Sequence, residues 1–165
     1  MTKIDTIYLD MDGVLSDFMS RYRQLSGEWK LDSEGKPSEN WSKFCSHGHF
    51  ANLDVWPGWY ALTSYIDLIA PMEQIRVEIL TSTGGAEFHD QVAQDKQSWC
   101  LQHGLRYKVN AVPGRWKKRD WARADAVLID DTADVVDGFR QAGGLAILHT
   151  DVDTTIQQLK IMLDI

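Results

Sequence analysis

The sequence predicts an α/β fold, a parallel sheet packed between helices on both faces, with a small helical insertion after the first strand. Three observations carry this. Short apolar runs alternate with amphipathic helical patterns along most of the chain. Three of the four clearer runs end in small polar or acidic residues. The long break in the alternation, from about Ser16 to Ala70, follows directly on the first run.

The first run, Ile4 to Leu9, is rich in β-branched and aromatic residues and ends at Asp10-Met11-Asp12-Gly13. It reads as a buried strand. Arg76 to Leu80 reads the same way and ends at Thr81-Ser82-Thr83-Gly84-Gly85. Ala126 to Ile129 ends at Asp130-Asp131, and Leu145 to Leu148 follows Gly143-Gly144. Tyr107 to Val109 is a weaker fifth strand. Between Glu87 and His103, the positions Phe88, Val92, Trp99 and His103 share one helical face, and Gly104 supplies a stop. Val135, Val136, Phe139 and Ala142 mark a second helix, and Ile156, Leu159 and Leu163 a third. Together these elements predict a Rossmann-like three-layer sandwich.

The insertion is polar from Asp32 to Asn40, rich in aromatics, and lacks a convincing strand. The expected division is a core domain of residues 1–17 and 71–165 with a small helical cap of residues 18–70. Trp29, Trp41, Trp56 and Trp59 fall in this insertion, either as packing or as a flat apolar wall for a ring-shaped ligand.

Composition narrows the classes of function. The chain has 165 residues, 44% hydrophobic and 25% charged, which is ordinary for a globular protein and excludes a disordered or fibrous one. No run reaches the roughly 18 apolar residues of a membrane span. Asp5 interrupts the N-terminus before an apolar stretch develops, unlike a signal peptide. Two cysteines, Cys45 and Cys100, suit a reducing cytoplasmic compartment rather than a disulfide framework. A net charge of −7 disfavours nonspecific nucleic-acid or anionic-membrane binding.

The chemistry lies at the strand ends. In open α/β sheets, ligands bind outside the carboxyl ends of the strands. Asp10, Asp12, Thr81, Ser82, Asp130 and Asp131 are therefore expected to converge. Carboxylate pairs about 4 Å apart repel by roughly 1–4 kcal/mol. A hard cation such as Mg²⁺ relieves that repulsion, and an acidic Mg²⁺ site suits a phosphate group. Arg115, Lys117, Lys118, Arg119 and Arg123 form a local basic run, either a solvated face or the cationic side of a phosphate site. Cys45-x-His47-x-His49 lacks a second ligand pair at zinc spacing and is not read as a zinc site.

The motif order resembles the haloacid dehalogenase superfamily of phosphohydrolases: Asp10-Met11-Asp12-Gly13-Val14-Leu15, then Ile79-Leu80-Thr81-Ser82, a lysine in Lys117-Lys118-Arg119-Asp120-Trp121-Ala122, and Leu128-Ile129-Asp130-Asp131. Within it the chain is most similar to the 5′(3′)-deoxyribonucleotidase family, through Ser16-Asp17-Phe18 after the first motif and Gly48-His49-Phe50-Ala51-Asn52-Leu53 leading to Pro57-Gly58. Two departures stand out. The lysine motif sits further from Asp130 than is usual there, so Lys117 and Lys118 compete, with Lys118 preferred because Ala122 follows it by four residues. His49 stands where the nucleotidases tend to carry an aromatic.

The resemblance implies a Mg²⁺-dependent phosphatase that hydrolyses a phosphate monoester through an aspartyl-phosphate. Asp10 is the implied nucleophile and Asp12 the acid and base. Thr81, with Ser82, binds the phosphoryl group, and Lys118 neutralises its charge. Asp10, the Asp12 main-chain carbonyl and Asp130 hold the metal, with Asp131 in an outer role. Phe18 and Phe50 are expected to face the substrate and flank a base, although cap packing explains the same aromatics. The expected substrate is a nucleoside monophosphate. Rival readings are another small phosphorylated metabolite, a nucleic-acid phosphate end, or a signalling receiver domain, whose paired acids come first rather than last. A homodimer is an open assembly.

Overall fold

The computed structural model describes residues 3–28 and 40–165. Trp29 and most of the polar stretch, through Glu39, lie outside the described residues. Five strands form one parallel sheet: β1 (Thr6–Leu9), β2 (Arg76–Ser82), β3 (Lys108–Val112), β4 (Ala126–Asp130) and β5 (Leu145–Leu148), in the order β3-β2-β1-β4-β5. The fold class is therefore α/β, with a Rossmann-like sheet. Thr6 pairs with Arg76 on one side of β1 and with Ala126 on the other, so β1 is central. Every residue of β1 and β4 is buried. Strands covered on both faces need continuous apolar runs, which is how both segments read.

Among the described residues six α-helices accompany the sheet: α1 (Phe18–Ser26), α2 (Asn40–Ser46), α3 (Trp59–Glu73), α4 (His89–Gln102), α5 (Ala133–Gln141) and α6 (Val152–Leu163). Short 3-10 helices occupy His49–Asn52 and Arg115–Trp121. The two-residue period of the strands sorts them into layers. Ile7, Leu9, Ile79, Val127 and Ile129 join Leu62, Ile66, Val92, Trp99 and Leu159 in a core with α3, α4 and α6. Tyr8, Leu80 and Leu128 point the other way and join Val135, Val136 and Phe139 of α5.

β3 runs further than the sequence suggests, to Val112. Asn110 looks polar in sequence, but it is buried and donates to Glu78 Oε2 (2.7 Å) and to the Ile79 carbonyl (3.1 Å). Its amide is satisfied within the sheet, so the strand continues.

Between β1 and β2 the described chain is helical. α1 opens at Asp17, whose carboxylate accepts from Ser20 N (3.1 Å). Tyr22, Phe44, Cys45 and Phe50 from this segment bury into the same core as Met11 and Leu15. α3 starts inside the expected cap span, yet it packs on β2 and α6 as part of the helical layer. Among the described residues no helix is long and apolar enough to cross a membrane.

Candidate active site

The strand order reverses at β1, with β2 on one side and β4 on the other. The carboxyl ends of β1 and β4 are the topological switch point where ligands of open α/β sheets bind. Asp10 leaves β1 there, its N–H held by the Ile129 carbonyl (3.0 Å). The following loop closes on itself. The N–H groups of Val14, Leu15 and Ser16 all converge on the Met11 carbonyl, and Gly13 N–H donates to the Ser16 carbonyl. Gly13 has φ +81°, a left-handed conformation that glycine adopts without strain.

Lys118 joins the two strand ends. It is 2% exposed, on the 3-10 helix Arg115–Trp121. Its Nζ lies 2.8 Å from Asp10 Oδ1 and 2.7 Å from Asp130 Oδ2. Burial pulls this ammonium down, and the two carboxylates together more than offset it, so the net direction is upward. The neighbouring Lys117 points away: its Nζ lies 4.6 Å from the Trp116 ring centroid and 3.9 Å from Asp120. The structure thus brings Lys118, and not Lys117, to the acids.

Asp130 is fully buried, and its other oxygen accepts from Thr132 N (2.9 Å). Burial first, and then the charge of Asp10, push its carboxyl up to about 6, against the pull of Lys118. Asp131 is exposed at its rim, but burial of its carboxyl, then Asp10 and Asp130, push it up to about 7. One oxygen from each of Asp10, Asp130 and Asp131 falls within 4.8 Å of the others. Three hard carboxylate oxygens this close together form a donor set that fits a hard divalent cation.

Asp12 faces elsewhere. Its Oδ1 accepts from Ser16 Oγ (3.1 Å) and its Oδ2 from Lys96 Nζ (2.6 Å). Its side chain stands outside the three-carboxylate group. Thr81, at the end of β2, is fully buried, and its Oγ1 accepts from the same Lys96 Nζ (2.8 Å). Ser82 Oγ accepts from Gly84 N (3.1 Å), shaping the loop after β2.

Lys96 is the residue that the sequence reading missed. Its signal lies in the α4 pattern: Phe88, Val92, Trp99 and His103 mark the buried face, and position 96 falls on that face between Val92 and Trp99. A lysine on the apolar face of a helix is a departure worth a partner. Asp131 also stands closer to the centre than its outer role suggests, as one of the three carboxylates.

The two expected substrate-facing rings have different settings. Phe18 is half-buried and stacks on Phe50 at 5.4 Å and 5°. Phe50 is 2% exposed, with the edges of Trp41 and Phe44 against it and Lys96 Nζ 5.0 Å from its centroid. The structure places Phe50 in the core rather than at an open face, because these neighbours take up its surface. Trp41 of α2 reaches the loop after β2: a Cβ built on Gly84 would stand 2.4 Å from the indole ring. An aromatic side chain of the inserted segment is thereby seated against Gly84 in the loop after β2. Burial, then Asp95 and Glu87, push the Cys45 thiol up to about 12, which keeps it protonated and packed.

No family model matches the chain, and no curated protein matches it by sequence. Solved structures match it over nearly the whole length. A hydrolase from Streptococcus pneumoniae aligns with a TM-score of 0.51 at 16% identity, covering 99% of this chain and all of the other. The D,D-heptose 1,7-bisphosphate phosphatase of Burkholderia thailandensis aligns with a TM-score of 0.49 at 12% identity, over 93% of this chain and 84% of that one. The HAD-hydrolase YfnB of Bacillus subtilis, solved bound to magnesium, aligns at 0.49 and 10% identity, over 99% and 100%. What the chain shares with the first of these is the fold.

Proposed function

We propose that this chain is a Mg²⁺-dependent phosphatase of the haloacid dehalogenase type, acting on a phosphate monoester, with a nucleoside monophosphate as the substrate. The observation that carries the reading is the buried Lys118, which joins Asp10 to Asp130 at the switch point beside Asp131. A preorganised ammonium set between a nucleophile and a cation-binding carboxylate is suited to phosphoryl transfer, where positioning and charge stabilisation dominate.

In the first step an Asp10 carboxylate oxygen attacks phosphorus, the bond from phosphorus to the ester oxygen breaks, and Asp12 gives a proton to the departing oxygen. In the second step water attacks the phosphorus of the aspartyl-phosphate, the bond to Asp10 breaks, and Asp12 takes the proton from the water. Lys118 and the Thr81 hydroxyl hold the phosphoryl oxygens. Asp10, Asp130 and Asp131, with the Asp12 main-chain carbonyl, would hold Mg²⁺, which supplies charge neutralisation on the phosphoryl oxygens. Trp41, against Gly84 in the loop after β2, and Phe18, edge-on to it at 6.1 Å, are half-buried aromatics, which favours a substrate with a ring and hence a nucleotide over a sugar phosphate.

The test is phosphate release from a panel of nucleoside monophosphates, sugar phosphates and 5′-phosphorylated oligonucleotides, with Mg²⁺ and with EDTA. Turnover of mononucleotides that EDTA stops and that Asp10→Asn abolishes, with the fold retained, is the expected result. Activity of Asp10→Asn within about tenfold of wild type would remove the assignment, because an amide is a poor nucleophile. Preference for sugar phosphates or oligonucleotide ends would move the substrate class.

A further inference from the structure

Lys96 is fully buried, and its ammonium has two hydrogen-bond partners and an aromatic ring beside it. An ammonium has three hydrogens. One lies toward Asp12 Oδ2 at 2.6 Å, one toward Thr81 Oγ1 at 2.8 Å, and the remaining side meets the Phe50 ring, 5.0 Å from its centroid. Asp12 follows β1 and Thr81 lies at the end of the adjacent β2, and Lys96 reaches both from the middle of α4. It is the side chain that ties these two strand ends together.

A purely structural need at this position would be met by leucine or methionine. Burying a charge costs several kcal/mol before any pairing returns it, and well-packed apolar replacements of buried ion pairs are often neutral or stabilising. The neighbours of position 96 on the helix face, Val92 and Trp99, are such apolar residues. With no exposed surface and its ammonium held by Asp12 and Thr81, Lys96 is also placed to act through these two partners rather than on a bound substrate.

We infer that Lys96 is a positioning residue that fixes the Asp12 carboxylate, together with Ser16 Oγ, in the orientation from which it serves the ester oxygen, and that fixes Thr81 beside it. The inference rests on the phosphatase reading above. Because Thr81 Oγ1 accepts from Lys96, its own hydroxyl hydrogen is left to donate to a phosphoryl oxygen. Because both Asp12 oxygens are held, the carboxyl has one orientation, and a misplaced acid loses most of its value.

The experiment compares two esters that differ in their need for a proton. A nucleoside 5′-monophosphate or glycerol phosphate releases an alkoxide, which must be protonated as it leaves. p-Nitrophenyl phosphate releases a phenolate that is stable as the anion. kcat/KM reports the steps through transfer to Asp10 for each. In Lys96→Met, kcat/KM for the alkyl ester is expected to fall by about 10²-fold or more, the range that acid catalysis contributes, and the loss on the aryl ester should be at least about tenfold smaller. Asp12→Asn, the control, should show the same selectivity. Lys96→Gln, whose amide NH2 can still donate, should recover part of the alkyl activity.

Equal losses on the two esters in folded Lys96→Met, beside a selective loss in Asp12→Asn, would overturn the inference and leave the phosphatase reading standing. Failure of both Lys96 variants to fold would overturn it too, by assigning the lysine to the fold. Absence of wild-type turnover on either ester would remove the phosphatase reading, and the inference with it.

Discussion

Gly13 and Asp131 share one space: a Cβ built on Gly13 would stand 2.1 Å from Asp131 Oδ2. The acid-bearing loop after β1 and the acid after β4 are thus packed backbone against carboxylate. The contact seats Asp131 against the loop after β1, where burial, then the charges of Asp10 and Asp130, push its carboxyl up to about 7.

Gly13→Ala should therefore damage the site more than the fold. The left-handed backbone costs about 1–2 kcal/mol with a Cβ present, and Asp131 must also move. A lower melting temperature and a weaker response to Mg²⁺ are expected, measured by thermal unfolding with titrated metal. An unchanged Mg²⁺ response would show that Asp131 does not reach the ion.

The two lysines of the 3-10 helix should separate sharply. Lys118→Ala removes the cation between Asp10 and Asp130, and kcat is expected to fall by about 10²–10³-fold. It leaves two facing buried carboxylates, so Mg²⁺ should stabilise this variant more than wild type. Lys117→Ala loses an exposed pair, worth under about 1 kcal/mol, and a contact with the Trp116 ring, both away from Asp10 and Asp130, and should stay within about threefold of wild type. Steady-state kinetics on both variants decides it, and the reverse ranking would transfer the role to Lys117.

Metal and pH should act on stability through the same carboxylates. Asp131 rises from an ordinary value of 3.8 to about 7, and Asp130 to about 6. Both are raised on folding, so the metal-free folded chain keeps protons that the unfolded chain has released. Their contribution is full below pH about 4 and is lost as pH rises through about 7. Mg²⁺ binds the ionised form, so it should raise the melting temperature at pH 8 far more than at pH 5. Asp131→Asn should be more stable than wild type at pH 8 in EDTA and gain less from Mg²⁺. Equal Mg²⁺ shifts at both pH values would contradict the donor set.

The stacked pair of phenylalanines should divide stability from recognition. Phe50→Ala empties a buried position and should cost about 3–5 kcal/mol, read by denaturant unfolding. Phe18→Ala, at the half-buried ring, should raise KM for a nucleotide by about 5- to 150-fold, the equivalent of a base stack of 1–3 kcal/mol, with little change for glycerol phosphate. Equal KM changes on both substrates would make Phe18 a packing residue as well.

Local pattern in the sequence marked the strands, the helices α4, α5 and α6, and the positions of Asp10, Asp12, Thr81 and Asp130 at or just past strand carboxyl ends. It could do so because these are local signals. A two-residue or 3.6-residue period identifies a buried face within one element, and in a parallel sheet each strand's carboxyl end is fixed by its direction. Tertiary structure alone decided which side chains meet. Lys96 and Asp12 are 84 residues apart, and only the seating of α4 beside β3 and the 3-10 helix His49–Asn52 turns a lysine on an apolar helix face into the partner of a strand-end acid. Lys117 and Lys118 are equivalent as composition, and the 3-10 turn between β3 and β4 points one at Asp10 and the other at Trp116. Phe50 reads like an open aromatic until Phe18, Trp41, Phe44 and Lys96 close over it. Periodicity describes a residue's own element, whereas a contact depends on the rotation and depth of a second element, which packing across the whole core sets.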